Sequence, residues 1–202
     1  MQHKQSDIER QLVRASSELD LLVQRHQALN NTLIMGNIST LGINPITFAK
    51  LGYDPVTSFD PISLVAVQPL LITVHPSVPA KNLSELVQLA KSQPGQLNYG
   101  TAGSSIHLAV EQFNSLAGIR MNHIAYKGSA PALTELVGGQ VSMTFTSMAA
   151  VQAFVRNGRL RLLGVTSAKR SPLAAQTPTI AESGVPGYDM RGWNAMVAPR
   201  AT

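Results

Sequence analysis

An α/β fold built on parallel strands is predicted by three observations in this 202-residue chain. From Gln96 onward short β-rich runs alternate with helical stretches, glycines and prolines punctuate their boundaries, and the segments that follow the strands are rich in Gly, Ser and Thr. Alternation of this kind lays strands side by side in parallel, joined by right-handed helical crossovers.

The elements can be justified in chain order. In the first thirty residues Ile8, Leu12, Ala15, Leu19, Leu22, His26 and Leu29 fall at spacings of four and three, and Gly and Pro are absent. That spacing predicts an atypical N-terminal amphipathic helix over 1–31. After Asn30-Asn31 the texture becomes β-rich, with strands expected over 32–35, ending at Gly36-Asn37, and then over 62–67 and 70–74. Pro55, Pro61, Pro69, Pro76 and Pro79 keep helices from running through this part. A helix over 84–92 places Leu86, Val87 and Ala90 on one face. The alternation then gives strand 97–99, helix 105–117, strand 122–126, helix 130–137, strand 141–145, helix 149–157 and strand 160–165. A short helix over 178–183, stopped by Gly184, and an extended segment over 188–197 complete the reading.

Composition removes several function classes. The 16 basic and 11 acidic side chains give a formal charge of +5, but the basic residues are scattered and form no block interleaved with aromatics. Nucleic-acid binding is therefore not expected, while a field that attracts anions is. The chain has no cysteine, which excludes disulfides, thiolate metal sites and cysteine nucleophiles. No apolar run approaches the ~20 residues that span a bilayer, so the chain is not read as membrane-embedded. Its N-terminus also lacks the basic, apolar, small-residue order of a secretion signal.

In open α/β sheets ligands bind beyond the carboxyl ends of the strands. Those loops read Gly100-Thr101-Ala102-Gly103-Ser104-Ser105, Lys127-Gly128-Ser129, Thr146-Ser147-Met148 and Thr166-Ser167. Each adjoins a helix start, where free N–H groups and the positive end of the helix dipole favour an anion. The same Ser and Thr residues would also serve as ordinary helix caps, so the pattern supports both readings. Other chemistries fit less well. The glycine-rich run lacks the Gly-Lys-Ser/Thr ending of a phosphate-binding loop and the three-glycine dinucleotide fingerprint. His107 follows Ser104 and Ser105 closely, yet there is no Gly-x-Ser-x-Gly elbow. His3, His26, His75, His107 and His123 show no metal spacing. No catalytic residue, metal site or cofactor is expected, and the chain is not read as an enzyme.

Several motifs then occur in order: Tyr53-Asp54-Pro55, Phe59-Asp60-Pro61, Val74-His75-Pro76-Ser77-Val78-Pro79, Leu97-Asn98-Tyr99-Gly100-Thr101-Ala102-Gly103-Ser104-Ser105, Ala125-Tyr126-Lys127-Gly128-Ser129-Ala130-Pro131, Gly138-Gly139-Gln140-Val141, Val165-Thr166-Ser167-Ala168-Lys169-Arg170 and Pro178-Thr179-Ile180-Ala181-Glu182. Together they resemble the substrate-binding proteins of tripartite tricarboxylate transporters, the Bug family. The resemblance implies a periplasmic-binding-protein-like, type II Venus-flytrap fold with two lobes. It implies a receptor that closes on a small organic acid, a di- or tricarboxylate or related acid, and delivers it to membrane permease subunits. It also implies a periplasmic location; without a signal peptide a cytoplasmic remnant is the alternative. By that comparison 96–165 form the complete second lobe, and 32–95 with 166–202 form a first lobe truncated at both ends. The ligand-binding residues implied are Gly36, Asn37, Thr101, Ala102, Gly103, Ser104, Ser105, Lys127, Gly128 and Ser129. Thr146 and Ser147 join them, Thr146 standing where family members often carry Asp. Two alternatives remain: a truncated, non-binding remnant that self-associates through its N-terminal helix, and a small hydrolase or transferase using Ser104 or Ser105.

Overall fold

The computed structural model describes residues 32–200, so the amphipathic helix expected over 1–31 lies outside the described residues. The chain divides into two units, one formed by residues up to Val67 together with Trp193 onward, the other by Gln68–Gly192.

The first unit is organised on a three-stranded sheet in the order β1-β8-β2, with β1 Ile34–Asn37, β2 Phe59–Pro69 and β8 Arg191–Pro199. β1 runs antiparallel to β8, pairing Ile34 with Val197 and Asn37 with Asn194. Asn37 ends the strand because its side chain competes for the following backbone. Its Oδ1 accepts from the N–H groups of Ser39 and Thr40, and Thr40 Oγ1 accepts from the Asn37 N–H at 3.0 Å. That reciprocal cap starts a π-helical turn, Ile38–Ile43, which leads into the short helix α1, Asn44–Thr47. A small core of Tyr53, Phe59 and Val197, backed by Ile34, Leu41 and Leu51, covers one end of the sheet.

The second unit holds a five-stranded sheet in the order β5-β4-β6-β3-β7. Its strands are β3 Leu71–Val74, β4 Asn98–Thr101, β5 Asn122–Ala125, β6 Met143–Thr146 and β7 Arg161–Val165; its helices are α2 Leu83–Ser92, α3 Ser104–Ala117, α4 Ser129–Val137 and α5 Met148–Arg156. All four residues of β3 are buried. Ile72 and Val74 join a large core with Leu83, Leu86, Tyr99, Phe113, Phe145 and Tyr188. Leu71 joins a second core with Leu136, Val151, Leu160 and Val165. The alternation of strand side chains thus packs apolar layers on both faces of the sheet.

The alternating pattern from Gln96 is present as expected, but one expectation, the helix over 178–183, is corrected. β4 is parallel to β5 and β6, whereas β3 enters between β6 and β7 antiparallel to both. The run Leu70–Val74 reads as a doubly buried strand, and an apolar run carries no signal for strand direction. The unit that holds this sheet also includes β3 and α2 and extends over Gln68–Gly192. Finally, 178–183 form a hydrogen-bonded turn and not a helix. Val165 N–H donates to Pro178 O and Ile180 N–H to Val165 O. This bridge keeps Thr179 extended beside β7 and leaves room for one turn before Val185.

Candidate functional site

Three helices start at the same edge of the five-stranded sheet, directly after the three adjacent parallel strands β5, β4 and β6. From β4 the chain passes by α3 to β5 on one side, then by α4 back across to β6 on the other. The connections leave in opposite directions between β4 and β6, which makes that gap the topological switch point where α/β sheets bind ligands. A small depression lies there, lined by Ala102, Ile106, Ser129, Ala132, Leu133, Thr144, Phe145 and Thr146.

The starts of α3, α4 and α5 share a property that ordinary capping would not produce. Gly103 stands at the cap position of α3, Gly128 at that of α4 and Ser147 at that of α5, and at none of the three does a side chain bond the helix N–H groups. None has an acidic residue in its first turn. α2, which starts elsewhere on the unit, is the control: Asn82 Oδ1 accepts from Glu85 N–H at 2.9 Å, and Glu85 Oε2 accepts from Lys81 N–H at 2.7 Å. The three starts therefore keep positive dipole ends and unmet N–H groups that an external anion can use. Gly103 has φ +105°, a conformation that L side chains rarely adopt, and nothing lies within 4 Å of where its Cβ would be. The backbone there is open to close approach.

The structure assembles a subset of the expected residues. Ala102, Ser129 and Thr146 line the depression. Ser104 and Ser105 are half-buried in the first turn of α3, Gly103 is exposed beside them, and Lys127 is exposed immediately before the Gly128 cap. Thr101 is buried, and its Oγ1 lies 2.6 Å from His123 Nε2 on β5. Gly36 and Asn37 belong to the other unit. Asn37 Oδ1 is occupied by its cap, and a Cβ on Gly36 would meet Leu41 at 2.3 Å. The Thr166-Ser167 loop is not available in the way the sequence suggested. Thr166 is fully buried, its Oγ1 accepts from Leu70 N–H at 2.8 Å, and Ser167 Oγ donates to Lys169 O at 2.6 Å.

The sequence profile of the family described as "Tripartite tricarboxylate transporter family receptor" matches residues 22–202. The chain belongs to this family.

Among curated relatives, this receptor-family chain is 33% identical over 174 residues to Protein BugT of Bordetella pertussis, an alignment covering 85% of this chain and 53% of BugT. It is 32% identical over 184 residues to a UPF0065 protein encoded between tcbD and tcbE in Pseudomonas sp. strain P51, covering 90% and 54%. The chain thus spans about half the length of these relatives. Among solved structures it superposes on R. palustris Rpa4515 with adipate at TM-score 0.82 and 35% identity, covering 91% of this chain and 63% of that one. MatC from Rhodopseudomonas palustris with bound malate gives 0.77 and 29%, covering 91% and 64%. The periplasmic binding protein BugD gives 0.73 and 31%, covering 84% and 57%. These neighbours confirm the expected periplasmic-binding-protein-like fold. No helix among the described residues is long and apolar enough to cross a membrane.

Sequence reasoning missed some of the residues that line this depression. Ile106 and Leu133 enter the depression from one turn inside α3 and α4, and Thr144 and Phe145 enter from β6; only their closeness to the Gly/Ser loops could have suggested them. It also missed a ring stack formed by Tyr99, His107 and His123. His107 and His123 lie parallel with centroids 4.0 Å apart, Tyr99 lies 5.1 Å from His123, and the Tyr99 hydroxyl donates to Glu111. Burial, with the neighbouring His107 second, holds the His123 pKa down at about 4 against a small opposing pull from Glu111. His123 is therefore neutral beside Thr101 at neutral pH. Burial first and Glu111 second push the Tyr99 hydroxyl well above the usual phenol range, so it stays a donor.

Proposed function

We propose that this chain is a solute-binding receptor for a small di- or tricarboxylate or related organic acid, that it works in the periplasm, and that it hands the acid to the permease subunits of a tripartite tricarboxylate transporter. The observation that carries the reading is the set of three uncapped, acid-free helix starts gathered at one sheet edge. A carboxylate at the α3 or α4 start would take the place of the missing cap and accept from backbone N–H groups, with Ser104, Ser105 and Ser129 hydroxyls as further donors. Hydrogen bonds to a charged group contribute about 1.5–3 kcal/mol each. Two or three of them hold an anion without an arginine. Lys127 adds a positive charge at the rim. Gly103 and Gly128 keep the backbone approachable, while Ile106, Ala132 and Leu133 offer apolar contact to a carbon skeleton. The reading also assigns Gly36, Asn37, Thr101, Ala102, Thr146 and Ser147 to ligand binding. The relatives solved with adipate and with malate support the choice of aliphatic dicarboxylates.

Reversible recognition needs no bond chemistry, and the geometry suits that role better than catalysis. The ring of His107 stacks on His123 and Tyr99, and no hydrogen bond joins it to Ser104 or Ser105 among the described residues. The test is thermal unfolding of the purified chain against adipate, malate, citrate, glutamate and nicotinate. An acid present at 100 times its dissociation constant should add about 2.7 kcal/mol of stability. A cooperative transition that no acid shifts would overturn the receptor reading in favour of a non-binding remnant.

A further inference from the structure

Gly100 is buried within β4, paired with Ile124 of β5 on one side and Thr144 of β6 on the other, and its carbonyl accepts from Thr144 Oγ1 at 2.7 Å. Its neighbour Tyr99 turns to the core that holds Phe113 of α3. Strand alternation therefore opens Gly100 to the opposite face, where α4 packs against β4 and β6. On that face the ring of Tyr126 lies over the bare glycine: a Cβ added at Gly100 would meet Tyr126 Cε2 at 3.1 Å and Val141 Cγ1 at 3.3 Å. Gly100 does not have a positive φ. What glycine supplies here is space for the ring and not backbone freedom. The Tyr126 N–H also donates to Thr101 O at 2.8 Å. Backbone and ring are thus both fixed to β4. Burial first and Glu135 of α4 second raise the pKa of the Tyr126 hydroxyl, in keeping with a ring set between the strand and that helix.

Two residues after Tyr126, α4 begins. No side-chain cap holds its first turn. Pro131 has no N–H, and the N–H of Ala132 donates to Gly128 O at 3.4 Å. The first turn of α4 therefore has the N–H groups of Ser129 and Ala130 to offer, two donors for the two oxygens of a carboxylate. With so few donors their direction matters, because hydrogen bonds weaken steeply as the angle falls away from linear. We propose that Tyr126, seated on Gly100, is the positioning residue of this anion-binding start. It acts through the backbone, since it is not among the residues that line the depression. The assignment rests on the receptor reading above and adds to it the side chain that aims the donors.

The test is calorimetric titration with adipate, malate, citrate, glutamate and nicotinate, with a thermal melt of each variant. Tyr126→Ala should weaken binding ten-fold or more and keep a cooperative melt, while Tyr126→Phe, which retains the ring, should stay within two-fold of the parent. Gly100→Ala should lose three-fold or more. Made on top of Tyr126→Ala, the same change should add less than two-fold, because the ring it strikes is gone. Leu86→Ala, a core truncation on α2, controls for lost stability and should leave affinity unchanged. Binding by Tyr126→Ala as tight as the parent's, or an equal loss in Tyr126→Phe, would overturn the positioning role. Additive losses in the double variant would overturn the seat at Gly100. If Gly100→Ala loses its cooperative transition, the two Tyr126 variants still decide. A parent that binds none of the five acids would overturn the receptor reading itself, and this assignment with it.

Discussion

Placing a carboxylate at the open start of α4 should stabilise the fold and weaken ligand binding at the same time. Gly128 has extended backbone, φ 172° and ψ 168°, and a Cβ there would meet nothing closer than Pro131 Cδ at 3.9 Å, so Gly128→Asp is accommodated without strain. An aspartate at the cap improves on glycine by a few tenths of a kcal/mol, and its charge at the dipole end adds about 0.3–1 kcal/mol. A net gain of about 0.5–1 kcal/mol raises the midpoint by roughly 1–4 °C for a chain of this size. The same carboxylate would stand about 4–5 Å from a bound acid. At an effective dielectric of about 20 the repulsion is about 3–4 kcal/mol; solvent screening at this half-buried position halves that, to a loss of about 30-fold in affinity. Thermal unfolding reads the first effect and calorimetric titration with adipate and malate the second, with Gly128→Ala as the backbone control. Unchanged affinity in Gly128→Asp would refute the assignment of the carboxylate to this helix start, and destabilisation beyond that of Gly128→Ala would refute the open cap.

Other outcomes follow from the same geometry. Replacing Ser104 and Ser105 with leucine should abolish binding by calorimetry while leaving a cooperative melt, because both sit in a half-buried first turn and not in a core; loss of the cooperative transition would count against the site. Tyr188 is 1% exposed and its hydroxyl donates to Ala109 O at 2.8 Å. Tyr188→Phe should cost about 0.5–1.5 kcal/mol in urea titration, and Tyr188→Ala, which also empties the core between α3 and the sheet, about 3–5 kcal/mol. His123 has a folded pKa of about 4 against 6.5 in the unfolded chain. Between these values the unfolded state binds more protons, so this group's contribution is fully present above about pH 6.5 and is lost as pH falls towards about 4. The melting temperature of His123→Gln should therefore fall less steeply than the parent's over that window, and parallel slopes would show that His123 does not titrate as described.

The alternation of strands and helices after Gln96 was legible because each element is short, apolar on the correct period and bounded by glycine or proline. Strand order was not. Nothing in Leu71–Val74 says that it enters antiparallel between β6 and β7, and so the switch point between β4 and β6 had to come from the structure. The candidate site was legible as loops of Gly, Ser and Thr, but their roles were not. A serine beside a helix start reads equally as a cap or as a free donor, and only the geometry separates Ser147, which makes no side-chain cap bond, from Ser171, whose Oγ accepts from Leu173 N–H. Thr166 was misread for the same reason: its hydroxyl bonds to Leu70, a partner too far along the chain for local pattern to reveal.

That bond between Leu70 and Thr166 sets an order of assembly. The partners lie 96 residues apart, whereas Thr101 and His123, which join β4 to β5, are separated by 22. Closing the longer loop costs about 1.3 kcal/mol more in chain entropy. It cannot close on a ribosome until β7 has emerged. The β4–α3–β5 segment is thus positioned to form the early nucleus, and β3, although the first strand of this sheet to be synthesised, waits with Ile72 and Val74 unburied until β6 and β7 arrive to flank it. Substitutions in β3 should accordingly change the unfolding rate and leave the folding rate nearly untouched.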